Sequence, residues 1–382
     1  MPAHLSRREF LAASAATVAG TRLLQAKEPE PQRDVAWLTE IQTPPDELPA
    51  DAPQLSPLLV DGDGRAITTL DAWRRRREEL RQTWLEFLGP LAVKRPTPRL
   101  EILEEDRRDG CLRQLVRYES EPGLPVEGYL LRPLDVPGPL PGVVALHSTV
   151  DFTIRQPAGL EGQPEDFFGL RLAQRGIVAF CPRCFLWQGE GTYDEQVAAF
   201  AGRHPGSLGM AKMLFDAGRG LDVLESLPEV DPARLGAVGH SLGAKEALYL
   251  AAFDDRVRVA VSSEGGIGTK FSNWNAPWYL GAGIDGEDEG VNEEGGGNRR
   301  FDREHHELLA QIAPRPFLLL GGDSADGARS WPFITAALPV YELYGRPARL
   351  GLFNHRQRHS VPPEAEARIY EWFDTYLATP AG

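Results

Sequence analysis

The sequence predicts an α/β protein with a mostly parallel central sheet, helices on both faces and an antiparallel N-terminal edge. Three observations carry this. From Arg99 onward, strand-like and helix-like stretches alternate almost to the C-terminus, the pattern of a parallel sheet joined by helical crossovers. Continuous apolar runs such as 141–147 and 177–181 suit strands buried on both faces. Residues 236–245, Gly-Ala-Val-Gly-His-Ser-Leu-Gly-Ala-Lys, read as a buried strand, a glycine-bounded turn at Ser241 and the start of a helix.

Taken in order, the first 26 residues read as an export signal. Ser6-Arg7-Arg8-Glu9-Phe10-Leu11 resembles a twin-arginine motif and precedes a modestly apolar stretch, Leu11 to Gly20, which is too short to span a bilayer. Cleavage after Ala19 or Ala26 is compatible with the residues there, with Ala26 preferred. The implied location is periplasmic or secreted, with no stable membrane insertion once the signal is removed. Residues 27–98 read as an N-terminal linker and helix packed on the core. The stretch 27–66 is rich in proline and acidic residues, and Asp61-Gly62-Asp63-Gly64 fits a turn better than a calcium loop, because the sixth loop position is Ala66. Thr68 or Thr69 can cap a helix over 70–88 that Gly89-Pro90 ends. The Arg74 to Arg77 run on that helix reads as a solvated face.

Residues 99–382 form the expected catalytic domain. Stretches 100–105, 111–118 and 126–132 give the antiparallel start. Strands then follow at 141–147, 177–181, 235–239, 257–262, 317–320 and 349–353, and helices at 167–175, 193–202, 208–227, 244–252, 300–310, 331–344 and 363–377. Residues 264–298 break this rhythm and read as a lid-like insertion.

Composition narrows the function. The chain has 382 residues, 42% hydrophobic and 25% charged, with 55 acidic against 41 basic residues and a net charge of −14. No broad basic surface is expected, which argues against nucleic acid or an anionic membrane as partner. Three cysteines make no disulfide framework. Cys181 and Cys184 lack the second pair that a zinc site needs, and read as buried or loop thiols. No feature sets an oligomeric state.

The chemistry centres on Ser241. Gly239-His240-Ser241-Leu242-Gly243 fits the G-x-S-x-G nucleophile elbow, in which small residues allow a sharp strand-to-helix turn. A serine hydroxyl needs a base, and His359, on the loop between the last strand and the last helix, is placed to supply it. His355 competes on the same loop, but His359 leads directly into the helix. The acid is expected after strand 317–320, where Asp326 is favoured over Asp323. Glu264, after strand 257–262, is a third candidate. Two N–H groups should hold the oxyanion: that of Leu242, and one after strand 141–147, with Thr149 favoured over Ser148. His147 is expected to shape that loop. No cofactor and no metal are called for.

These residues resemble the α/β-hydrolase superfamily over about residues 99–377. Within it the chain resembles bacterial dienelactone-hydrolase-like and acetyl xylan esterase-like proteins, and the resemblance implies a serine esterase acting through an acyl-enzyme. Glucuronoyl esterases are similar too, although their elbow typically carries an Arg directly after the Ser, where Leu242 stands here. In the insertion, Trp274 and Trp278, with Phe271 and Tyr279, either stack on a sugar or acyl group or anchor the lid. The acidic run from Asp285 to Glu294 reads as a solvated loop, with disfavour for a nearby anionic substrate or the holding of a cation as the alternatives. The expected substrate is a small-molecule or carbohydrate ester. Two alternatives of other classes stand beside it. A serine peptidase of the prolyl-oligopeptidase type needs a large extra domain that 27–98 does not supply. A non-catalytic hydrolase-fold binding protein would not need the intact Ser, His and acid.

Overall fold

A computed structural model describes residues 34–89, 91–284 and 301–377; the export signal and the acidic run of the insertion lie outside them. The antiparallel edge consists of β1 (Glu101–Arg108), a polar and largely exposed outer strand, and of β2 (Cys111–Glu121) and β3 (Leu124–Pro133), which carry the buried side chains. The apolar runs build β4 (Leu140–Leu146), β5 (Val178–Pro182), β6 (Val230–His240), β7 (Val257–Ser263), β8 (Phe317–Gly321) and β9 (Leu350–Asn354). The sheet order is β1-β2-β3-β5-β4-β6-β7-β8-β9. Pairings up to β3–β5 are antiparallel, and all later ones parallel. The carboxyl ends of β4 to β9 therefore share one rim. The expected mostly parallel sheet with an antiparallel N-terminal edge is what the chain forms.

Helices cover both faces, as expected. On one side, α1 (Leu70–Leu88), α3 (Tyr193–Arg203), α4 (Gly209–Glu225), α5 (Leu242–Phe253), α6 (His306–Ile312) and α7 (Trp331–Glu342) contribute to one apolar layer. On the other, α2 (Phe168–Ala173) and α8 (Pro363–Tyr376) close a second layer with Val35 and Ile41. The segment before α1 is strapped to the β9 edge. Asp34 pairs with Arg349 at 2.7 Å, and the Gln42 side chain donates to the Leu350 carbonyl.

Thr69 caps α1 by accepting from the Ala72 N–H, and Gly89, at φ 64°, ends it in the left-handed region. Trp73, Leu80, Trp84 and Leu88 form its buried stripe. The Arg74 to Arg77 run is not wholly solvated. Arg74 meets only Asp71 in solvent, but Arg77 donates to the Gln311 carbonyl and pairs with Asp255 at 2.6 Å. Tertiary packing thus uses one arginine of a run whose charge alone suggested water. The Asp61 carboxylate accepts from the Asp63 and Arg65 N–H groups, a side-chain-closed turn. Cys111, Cys181 and Cys184 are free and buried.

Candidate active site

The strand-to-helix turn between β6 and α5 holds Ser241 at φ 57°, ψ −116°, a conformation few non-glycine residues adopt. The flanking glycines make it possible. A Cβ at Gly239 would run into the Gly243 carbonyl, and one at Gly243 into the Leu146 and His147 carbonyls. The Ser241 N–H donates to Ser263 O at 2.9 Å, tying the turn to the end of β7. Leu242 is the first residue of α5, so its N–H has no acceptor inside the helix. Its side chain is buried in the core, so only its backbone can face the site.

The loop after β4 supplies the second wall. The Ser148 N–H is engaged, donating to Gln156 Oε1 at 2.9 Å, and its hydroxyl donates to the His240 carbonyl at 3.2 Å. Thr149 is exposed, and no acceptor for its N–H occurs among the described residues. That N–H is open to an acceptor brought in from outside the chain. His147 is not a second base. Its Nε2 accepts from the Cys184 N–H at 3.1 Å, so Nδ1 carries the proton and donates to Ser148 O at 2.7 Å. Burial holds it neutral, down to about 4.

His359 stands over the elbow. Its ring lies 4.6 Å, centroid to centroid, from that of His240, the residue before the serine. Burial and the positive charge of His359 and His355 depress His240 to about 3, so the inner ring stays neutral. His359 is part-exposed, and its Nδ1 meets Glu264 Oε2 at 3.1 Å. That bond leaves Nε2 to serve the serine hydroxyl. His355, the competitor, is engaged within its own loop, its Nδ1 accepting from the Gln357 N–H at 3.1 Å.

The partner of His359 is thus Glu264, and the expected pairing with Asp326 is not formed. Glu264 follows β7 directly, with φ 54°, and its buried carboxylate also accepts from the Gly322, Ala325 and Asp326 N–H groups. Asp326 points the other way. It accepts from the Gly266 and Ile267 N–H groups at 2.7 and 2.8 Å, and from the Ser330 hydroxyl at 2.9 Å. Each loop lends its carboxylate to the other's amides, and the two are clasped together. Burial raises the Asp326 carboxyl. Asp323 braces its own loop and ties it to β9, accepting from the Ala328 N–H and from Asn354 Nδ2 at 2.7 Å.

Trp274 is an anchor. Only 1% of it is exposed, and its Nε1 donates to the Gly266 carbonyl at 2.6 Å. Trp278 is half-buried and stands edge-on to Tyr193, which meets Trp187, which in turn meets His147. This aromatic strip runs from the oxyanion loop to the insertion. Sequence reading missed Lys245 altogether. It lies 4.5 Å over the Trp274 ring, donates to the Gly265 carbonyl and the Ser272 hydroxyl, and burial lowers it to about 7. The available signal was a Lys-Glu pair inside the apolar helix 242–253. Gln156 was missed as well, and no spacing marks it.

Residues 126–278 match the dienelactone hydrolase family, and residues 214–345 match a family described as glucuronyl esterase, fungi. YtaP of Bacillus subtilis strain 168, whose name offers no more than a hydrolase, is 29% identical over 200 residues, covering 48% of this chain and 63% of its own. The 4-O-methyl-glucuronoyl methylesterase 1 of Wolfiporia cocos is 28% identical over 189 residues, covering 44% and 46%. The chain thus spans between 46% and 63% of the length of these curated relatives. Among solved structures, a glucuronoyl esterase from Solibacter usitatus superposes with a TM-score of 0.66 at 18% identity, covering 87% of this chain and 99% of its own.

Proposed function

We propose that this chain, an α/β-hydrolase by fold, is a serine carboxylic ester hydrolase acting on carbohydrate-linked esters, with glucuronoyl esters as the first substrate class. The observation that carries the chemistry is the strained Ser241 elbow beneath a His359–Glu264 pair. Ser241 Oγ attacks the ester carbonyl while its proton passes to His359 Nε2. Glu264 keeps the Nδ1 proton in place and stabilises the imidazolium. The N–H groups of Leu242 and Thr149 hold the oxyanion. On collapse, the alcohol leaves with the proton from His359. Water, deprotonated by the same ring, then attacks the acyl-enzyme, and the carboxylic acid is released with Ser241 restored.

Leu242 remains a departure from the glucuronoyl esterase elbow, which typically carries an Arg there, but it does not cost the oxyanion a backbone donor. Its side chain faces the core, and the backbone N–H that matters is available whatever the residue. The half-buried strip of Trp187, Tyr193 and Trp278 offers rings for a sugar face. Export by the twin-arginine-like segment Ser6 to Leu11 would bring the enzyme to extracellular polysaccharide. No helix among the described residues is long and apolar enough to cross a membrane.

The test compares wild type and Ser241→Ala on a benzyl glucuronate ester, on acetylated xylan and on p-nitrophenyl acetate. The wild type should cleave the glucuronate ester best and react with a fluorophosphonate, and Ser241→Ala should do neither. Equal hydrolysis by the two proteins removes the serine mechanism. A clear preference for acetylated xylan replaces the substrate class and keeps the mechanism.

A further inference from the structure

Gln156 is 4% exposed and lies eight residues past Ser148. Both ends of its side-chain amide are used, in the one orientation its neighbours allow. Oε1 accepts from the Ser148 N–H at 2.9 Å, and Nε2 donates to Asp166 Oδ2 at 3.2 Å. Ser148 is pinned a second time, through its hydroxyl, to the carbonyl of His240. The residue between these ties and the open site is Thr149, whose position is closed by a bond from the Val150 N–H to Ser148 O at 2.9 Å. The connecting segment is wound tightly. Successive bonds run from Thr153 N to Val150 O, Arg155 N to Phe152 O and Gln156 N to Thr153 O, and Thr153 itself sits at φ 45°. A bonded, strained loop of this kind needs an internal strut, and Gln156 is the side chain that crosses it.

We propose that Gln156, braced by Asp166, is the positioning residue of the oxyanion site, fixing Ser148 so that the Thr149 N–H remains free and aimed at the reacting carbonyl. The proposal rests on the reading of Ser241 as nucleophile and deepens it. Consuming the Ser148 N–H is part of the device. It prevents that amide from competing for the oxyanion and sets the plane of the next peptide. Asp166 comes from the segment just before α2. Burial and Glu165 raise its carboxyl to about 6, while His359 pulls the other way. The strut therefore ends on a carboxyl that feels the charge of the catalytic histidine.

The experiment measures kcat and KM for an activated ester, together with inhibition by a trifluoromethyl ketone that forms a tetrahedral adduct. Gln156→Ala should lower kcat by about tenfold or more, short of the roughly hundredfold that deleting a donor costs. KM should hold, and ketone affinity should fall in step with kcat. Gln156→Glu keeps the acceptor for Ser148 but sets two carboxylates together, and should be impaired. The double variant Gln156→Glu/Asp166→Asn restores a donor–acceptor pair with reversed polarity, and should recover most of the kcat. Wild-type kcat in Gln156→Ala, with Ser241→Ala inactive, overturns the strut and leaves the nucleophile standing. Activity in Ser241→Ala overturns the underlying reading. If Gln156→Ala does not fold, equal kcat in Gln156→Glu and the double variant overturns the strut.

Discussion

Replacing Glu264 by Gln separates the acid that serves His359 from the one that only supports it. The Glu264 carboxylate serves four donors: His359 Nδ1 at 3.1 Å, Ala325 N at 2.8 Å, Asp326 N at 3.4 Å and Gly322 N. A Gln side chain has one carbonyl oxygen. If that oxygen stays with Gly322 and Asp326, the NH2 group faces both the Ala325 N–H and His359. It would donate to Nδ1 and force the proton onto Nε2, the tautomer that cannot accept from serine. The corresponding change in a serine protease costs about 10^4 in kcat, or about 5.5 kcal/mol at about 1.4 kcal/mol per decade. Folding should lose about 1 kcal/mol, because the half-buried Ala325 N–H is left unpaired.

Asp326→Asn should show the opposite balance. Its three donors, Gly266 N, Ile267 N and the Ser330 hydroxyl, face one remaining oxygen, for a stability loss of about 1–3 kcal/mol. The partner of His359 is untouched, so kcat should stay within about tenfold. Urea unfolding and kcat on p-nitrophenyl acetate, measured on both variants, give the comparison. An inactive Asp326→Asn beside an active Glu264→Gln would refute the assignment.

Three further outcomes follow from the packing. Burial pushes the Glu246 carboxyl up to about 8, so the folded state holds a proton that the unfolded chain releases near 4.3. Its contribution is complete below that pH and is lost as pH rises through 8, because the folded state binds more protons across this window. Urea midpoints should therefore shift in favour of Glu246→Gln over wild type between pH 5 and about pH 8, and a constant difference would contradict this. Trp274→Phe removes a buried N–H from the Gly266 carbonyl and should cost about 1–3 kcal/mol in unfolding with KM unchanged; a raised KM at full stability would make Trp274 a substrate platform after all. In Gly322→Ala the new Cβ would strike the Arg358 carbonyl, so kcat should fall by at least about tenfold through displacement of His359, and wild-type kcat would show that the crossing is slack.

Much of the fold was legible because its signals are local. Apolar runs marked β4 to β9, Thr69 and Gly89 marked the ends of α1, and the glycines about Ser241 marked the elbow. The solvated reading of Arg74 to Arg77 holds for Arg74 and fails at Arg77, which finds its partners more than 170 residues away, at Asp255 and Gln311. Trp274 and Trp278 lie four residues apart in one insertion, yet one is buried over Lys245 and the other lies half-open beside Tyr193. Composition does not separate two such rings; their neighbours from α5 and α3 do. The expected pairing of Asp326 with His359 is not formed for a related reason. Asp326 and Glu264 are both buried carboxylates beside the same rim, and only the direction each points decides which one meets the histidine.

That direction is set where the chain crosses the end of β8. β9 lies beyond β8, so the loop carrying His359 must pass back over it to reach the elbow on β6. It does so across Gly322, where the Arg358 N–H donates to the Gly322 carbonyl at 2.7 Å and the Arg358 carbonyl occupies the space of a Cβ. Lying this close to the sheet, the loop delivers His359 to the end of β7, the strand between β6 and β8. The first residue there is Glu264, held upright by its left-handed backbone and by the amides of the β8 loop. Residues 323–326 curl outward from the crossing and turn their acid down onto Gly266 and Ile267. The tight passage over Gly322 favours the nearer carboxylate, and it leaves the farther one to keep that carboxylate in place.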